Sequence, residues 1–110
     1  MTDNFQRDYN ELKDLEKNVS NDLKKRKDST SNSENTVRLE QQIFKGLDTF
    51  GKRVDMAMNG YKNKYKDTSL ISQDEANRRI NMLNELAQSH QTMKKGYDQL
   101  INDKYQYVSI

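Results

Sequence analysis

The chain has 110 residues, 32% hydrophobic and 33% charged, which suits a single domain with a narrow apolar seam and excludes a broad globular interior. Its 19 Lys and Arg nearly cancel 17 Asp and Glu to leave +2, so it lacks the high net charge that accompanies low hydropathy in disordered chains. The absence of Cys excludes disulfides, no apolar run approaches the roughly 18 residues of a membrane-crossing helix, and the absence of Pro with only four Gly favours long helices.

Asp3 or Asn4 can cap a first helix over residues 4–27. Its apolar positions Phe5, Tyr9, Leu12, Leu15, Val19 and Leu23 recur at steps of three and four, which lines up one helical face. The helix closes on Lys24, Lys25, Arg26 and Lys27, cations that suit the negative end of the helix dipole. Asp28 to Asn35 has no apolar member and reads as a loop.

A second helix is expected over 36–66, with Val37 or Leu39, then Ile43, Leu47, Phe50, Val54, Met58, Tyr61 and Tyr65 on its apolar side. Gly46, Gly51 and Gly60 interrupt it, each at a cost of about 1 kcal/mol relative to Ala. Gly60 is placed to end the helix early and leave 61–66 frayed. After a connection over 66–70, a third helix is expected over 72–105. Ser72 three residues before Glu75 is a capping box, and Ile71 can pack onto Ala76 as a hydrophobic staple. Ala76, Ile80, Leu83, Leu86, Ala87, His90, Met93, Tyr97, Leu100 and Ile101 then form one face. Such a helix is roughly 50 Å long and needs partners of similar length.

Three amphipathic helices with short connections predict an all-α fold, an antiparallel up-down-up three-helix bundle filling one domain, with a tail at 106–110. The near-heptad spacing predicts near-parallel packing at crossing angles of about 20°.

No constellation for catalysis is present. His90 is the single His, and there is no phosphate-binding Gly loop, no Glu-x-x-His pair and no Ser-centred elbow, so we expect no enzyme, no metal and no cofactor. His90 lies on the apolar stripe and reads as a part-buried His with one ring nitrogen bonded inside the bundle. Lys24, Lys25, Arg26 and Lys27 are the densest basic patch, followed by Lys62, Lys64 and Lys66. Either reads as a solvated helix end, or as a contact to an anionic surface. The aliphatic stems of Arg78 and Arg79 can cover the seam while their guanidiniums reach acids on a neighbouring helix, the alternative being a partner contact. Gly46 and Gly51 either permit close packing within the bundle or leave a shallow groove for another helix. Ser29, Ser31 and Ser33 are conceivable phosphorylation sites, and Val108-Ser109-Ile110 could add a strand to a peptide groove.

Asp3-Asn4-Phe5 with Tyr9-Asn10-Glu11, then Phe50-Gly51-Lys52-Arg53-Val54-Asp55, then Ile71-Ser72 with Glu75, Asn77-Arg78-Arg79 and Met82-Leu83 are similar to the N-terminal region of Qc-type SNARE proteins. The chain resembles the Habc-like three-helix domain of the endosomal and vacuolar syntaxin-eight branch, one stretch falling on each expected helix. The resemblance implies a non-enzymatic regulatory or recruitment domain, the N-terminal part of a longer chain, acting in vesicle-membrane fusion. It implies other SNARE proteins, a Sec1/Munc18-type protein or a tethering complex as partners, and Gly46, Gly51, Arg53, Arg78 and Arg79 as the candidate partner surface. The location it implies is the cytoplasmic face of endosomal, vacuolar or Golgi-derived membranes, with membrane attachment only through a C-terminal anchor that this sequence lacks. No nucleic-acid partner is expected, and the chain alone is expected to be monomeric. Two other readings compete: a small basic helical module for nucleic acid, motivated by a pI near 8.8 and the Lys24 to Lys27 cluster, and a self-associating coiled-coil adaptor.

Overall fold

The structure, a computed structural model, describes residues 4–28, 34–67 and 70–105. They form three helices, α1 (Phe5–Asp28), α2 (Glu34–Lys64) and α3 (Gln73–Tyr105), each packed against both others, with no strand among the described residues. The result is the expected three-helix bundle. Its extents are 60 × 24 × 17 Å and its radius of gyration is 17.5 Å, against about 13 Å for a compact domain of this length. A seam between long rods follows from the composition, because the apolar residues are too few to close a sphere.

The stripes point inward as their spacing requires. Phe5, Leu12, Phe50, Val54, Tyr61, Leu83 and Leu86 form the larger buried cluster. Val19, Leu23, Ile43 and Leu47 form a smaller one toward the other end. Beyond Leu86, α3 adds only half-buried residues such as Met93 and Tyr97, so the core thins along the rod. At the start of α3 the Glu75 amide donates to Ser72 Oγ at 3.1 Å, the cap the sequence predicts. The reciprocal half of the box does not form, because guanidiniums hold both oxygens of the Glu75 carboxylate.

The structure corrects four expectations. First, α2 runs through Gly60 to Lys64, and Tyr61 is buried where fraying was expected. Tyr61 meets the Phe5 ring edge-on at 5.2 Å between centroids and donates to Asp8 Oδ2 at 2.6 Å, so tertiary contacts hold the helix past its glycine. Second, α1 includes Asp28 and α2 begins at Glu34, which shortens the expected loop from both sides. Third, the first turns of α2 bury Thr36 and Glu40 while Val37 is 41% exposed. Fourth, Arg26 faces the interior, as described below. Ser29, Ser31 and Ser33, the Asp3 cap and the 106–110 tail lie outside the described residues.

Two glycines of α2 are spacers. A Cβ at Gly46 would lie 2.9 Å from Val19 Cγ2 on α1, and one at Gly51 would lie 2.6 Å from His90 Nε2 on α3. Gly60 and Gly96 have open space around them and lie within helices with no positive φ. Gly60→Ala and Gly96→Ala are therefore expected to stabilise the protein by about 0.5–1 kcal/mol each, through reduced backbone entropy of the unfolded chain. Gly51→Ala is expected to cost about 1–3 kcal/mol by overpacking. Urea unfolding of the three variants checks the reversal of sign.

Candidate functional site

Two side chains of α3 bond backbone carbonyls of α2. His90 Nε2 lies 2.9 Å from the Leu47 oxygen, and Tyr97 donates its hydroxyl to the Glu40 oxygen at 3.1 Å. A carbonyl only accepts, so His90 carries its proton on Nε2 in this contact. His90 and Tyr97 are seven residues apart, as are Leu47 and Glu40, so the two bonds set the antiparallel register of α2 against α3. Gly51 makes the first bond accessible, since the ring occupies the space of the missing Cβ. The imidazole also meets the Phe50 ring at 5.8 Å between centroids. His90 is thus the part-buried, internally bonded residue the sequence predicts.

Outside this line of contacts, α2 and α3 leave an open groove. One hollow of about 570 Å³ is floored by Gly51, Ala87 and His90. A second lies toward the start of α2, between Val37 and Ile101. Phe44 and Tyr97 border both, and Phe44 is 64% exposed, a large apolar side chain standing in water. The rims carry both signs. Lys52 bonds Asp48 at 2.9 Å, while among the described residues Asp55, Lys94 and Asp98 make no ion pair. Phe44 was legible in principle: Val37, Phe44 and Gly51 share a heptad spacing beside the buried stripe, a second face on α2.

The five residues of the candidate partner surface do not share one face. Gly46 faces α1 and Gly51 faces α3. Arg53 crosses to α1, its Nη2 3.1 Å from Glu11 Oε2, beside a shallow hollow that contains Gly60 and exposed Met56. Arg78 and Arg79 sit at the start of α3 and bind Glu75 of their own helix, at 2.7 Å and 2.8 Å, where acids of a neighbouring helix were expected. Arg79 also donates to the Tyr65 hydroxyl at 3.1 Å and lies 5.1 Å over the Phe5 ring, tying together the start of α1, the end of α2 and the start of α3.

The basic cluster divides likewise. Lys24, Lys25 and Lys27 are exposed, but Arg26 is buried, its Nε 3.3 Å from Glu40 Oε1. Arg26 is therefore unavailable to an anionic surface, because its position on α1 points it across the seam at the first turns of α2. Among the described residues no group of three or more His, Cys, Asp or Glu is placed to hold a metal, and no helix is long and apolar enough to cross a membrane.

Hydrogen bonds from Arg78 and then Arg79 lower the Glu75 pKa from the ordinary 4.5 to about 2. A carboxylate depressed in the folded state stabilises the fold above its unfolded pKa. That contribution fades as pH falls from about 4.5 toward 2. We expect Glu75→Gln to flatten the fall in melting temperature across this window, and an NMR titration of the Glu75 carboxyl to show the low midpoint directly.

No protein-family model, no curated protein and no solved structure matches the chain.

Proposed function

We propose that this chain is a non-enzymatic regulatory and recruitment domain of a SNARE protein in vesicle-membrane fusion, in the endosomal and vacuolar system. The observation that carries the reading is the α2–α3 groove with Phe44 exposed on its edge. A groove between two helices, apolar along its floor and charged on its rims, fits the apolar face of a third helix. An exposed aromatic beside a small-residue hollow is the kind of anchor that dominates such contacts. Among the described residues, the three stretches that resemble Qc-type SNARE N-terminal regions fall at the start of α1, within α2 and at the start of α3, in chain order. The partners are then other SNARE proteins, a Sec1/Munc18-type protein or a tethering complex, and the site of action is the cytoplasmic face of endosomal, vacuolar or Golgi-derived membranes.

Reading the gene past the Ile110 codon tests this. The expected result is a heptad-patterned helix with a Gln at its central layer, followed by an apolar span of about 20 residues. A stop codon there, or a continuation without heptads, overturns the SNARE reading.

A further inference from the structure

We propose that Met82 is an oxidation site: a peroxide converts its thioether to a sulfoxide, and the Arg78 guanidinium, aimed by Glu75, donates to the new oxygen so that the bundle keeps its fold. The sequence has no Cys, so its thioethers are the side chains that a two-electron oxidant meets first. Met56, Met58, Met82 and Met93 lie among the described residues, and of these only Met82 has a donor at its sulfur. Arg78 Nη1 lies 3.2 Å from Met82 Sδ, in an exposed contact one helical turn along α3. Glu75 fixes that donor. Arg78 Nε and Nη2 bond its two carboxylate oxygens at 2.9 and 2.7 Å, a two-point clamp that sets the plane of the guanidinium and leaves Nη1 as its free edge. The step of four residues brings the Met82 side chain to that edge.

A sulfur lone pair attacks one oxygen of the peroxide, and the O–O bond breaks. With hydrogen peroxide, the departing hydroxide takes the proton of the transferred oxygen and leaves as water; the sulfur loses two electrons and the peroxide gains them. A thioether is a weak acceptor, whereas a sulfoxide is polar and its oxygen accepts strongly. The Arg78 side chain is 56% exposed, so a slight outward swing seats that oxygen against Nη1. Met82 packs against the larger buried cluster, as Met58 and Met93 do. A sulfoxide at Met58 or Met93 presents a polar oxygen to the seam with no donor already at the sulfur, and loosens it. At Met82 the donor is in place before the oxygen arrives. The bundle therefore absorbs oxidation at one half-buried methionine and not at the two others.

Hydrogen peroxide treatment of the 1–110 chain, with peptide mass spectrometry to place each added oxygen, makes the first test. The expected order is Met56 and Met82 ahead of Met58 and Met93, while the circular dichroism of the fold persists. Met82 lagging with Met58 and Met93 overturns the proposal. The second test uses a chain carrying Met56→Leu, Met58→Leu and Met93→Leu, swaps that keep side-chain volume and leave Met1 and Met82 as the thioethers. Full oxidation of this chain should move its melting temperature by less than about 2 °C, because the new oxygen is bonded. With Arg78→Ala added, the same oxidation should lower it by about 5 °C or more, the cost of an unsatisfied polar atom at the edge of the core. Oxidation at Met1 is common to both chains and cancels in the comparison. An equal shift with and without Arg78 overturns the proposal, since the guanidinium then does not receive the oxygen.

Discussion

Phe50→Ala is expected to lower the unfolding free energy by about 3–5 kcal/mol, the cost of emptying a large core site. Phe50 is 0% exposed, belongs to the larger cluster with Leu83 and Leu86, and supports the His90 ring. Truncation forfeits the transfer free energy of the ring and leaves a cavity. The seam is narrow and Gly51 follows directly, so few neighbouring atoms can move in to fill it. His90 also loses the aromatic edge against which it holds its bond to the Leu47 carbonyl. Against a total stability of about 5–15 kcal/mol for a domain of this kind the loss is a large fraction. At about 4 °C per kcal/mol it lowers the melting temperature by roughly 10–20 °C. Urea unfolding followed by far-UV circular dichroism measures it. Leu83→Ala should cost about 2–5 kcal/mol in the same assay, and losses below 1 kcal/mol at both sites would show that these stripes are not the core.

Glu40→Ala is expected to cost about 3–5 kcal/mol, although it sits where the core is thinnest. Arg26 and Glu40 are 8% and 5% exposed, so removing the carboxylate leaves a guanidinium in a desolvated place. The cost is that of the stranded cation and not the worth of the pair. Replacing both, Arg26→Met with Glu40→Leu, is therefore expected to leave stability within about 1.5 kcal/mol of the parent, or above it. The double-mutant cycle should be strongly non-additive. If Glu40→Ala and Arg26→Ala each cost less than about 1 kcal/mol, water reaches the pair and the burial assigned to it is wrong.

The candidate site was less legible than the fold. His90 could be placed correctly because a lone imidazole on an apolar stripe has few satisfactory environments, and a backbone carbonyl of the facing helix is one of them. Gly46 and Gly51 could be singled out as unusual, but whether they admit neighbours of the bundle or a further helix depends on what lies across from them. Val19 and His90 lie there, so both glycines are spacers, and Gly51 also floors the outer groove. Arg26 continues the seven-residue spacing of Phe5, Leu12 and Val19, but its charge and its Lys neighbours read as a solvated helix end, whereas Phe44 sits at the margin of its helix's apolar stripe. At a margin, a rotation of a few tens of degrees decides between seam and solvent.

The sequence by itself determined three helices, their order, most of the apolar residues on each inner face and the cap at Ser72. These depend on a 3.6-residue period and on hydrogen bonds within one turn, and both are properties of contiguous residues. Only the tertiary structure decided that α2 continues through Gly60, that Arg26 turns inward to Glu40, that Arg78 and Arg79 stay on Glu75, and that Phe44 is left outside. Each outcome is set by how far one helix is rotated and shifted against the next. Contacts between residues dozens of positions apart fix that placement: His90 on Leu47, Tyr97 on Glu40, and Tyr61 against Phe5 and Asp8. Local periodicity says which face of a helix is buried, and it carries no information about what the neighbouring helix presents to that face.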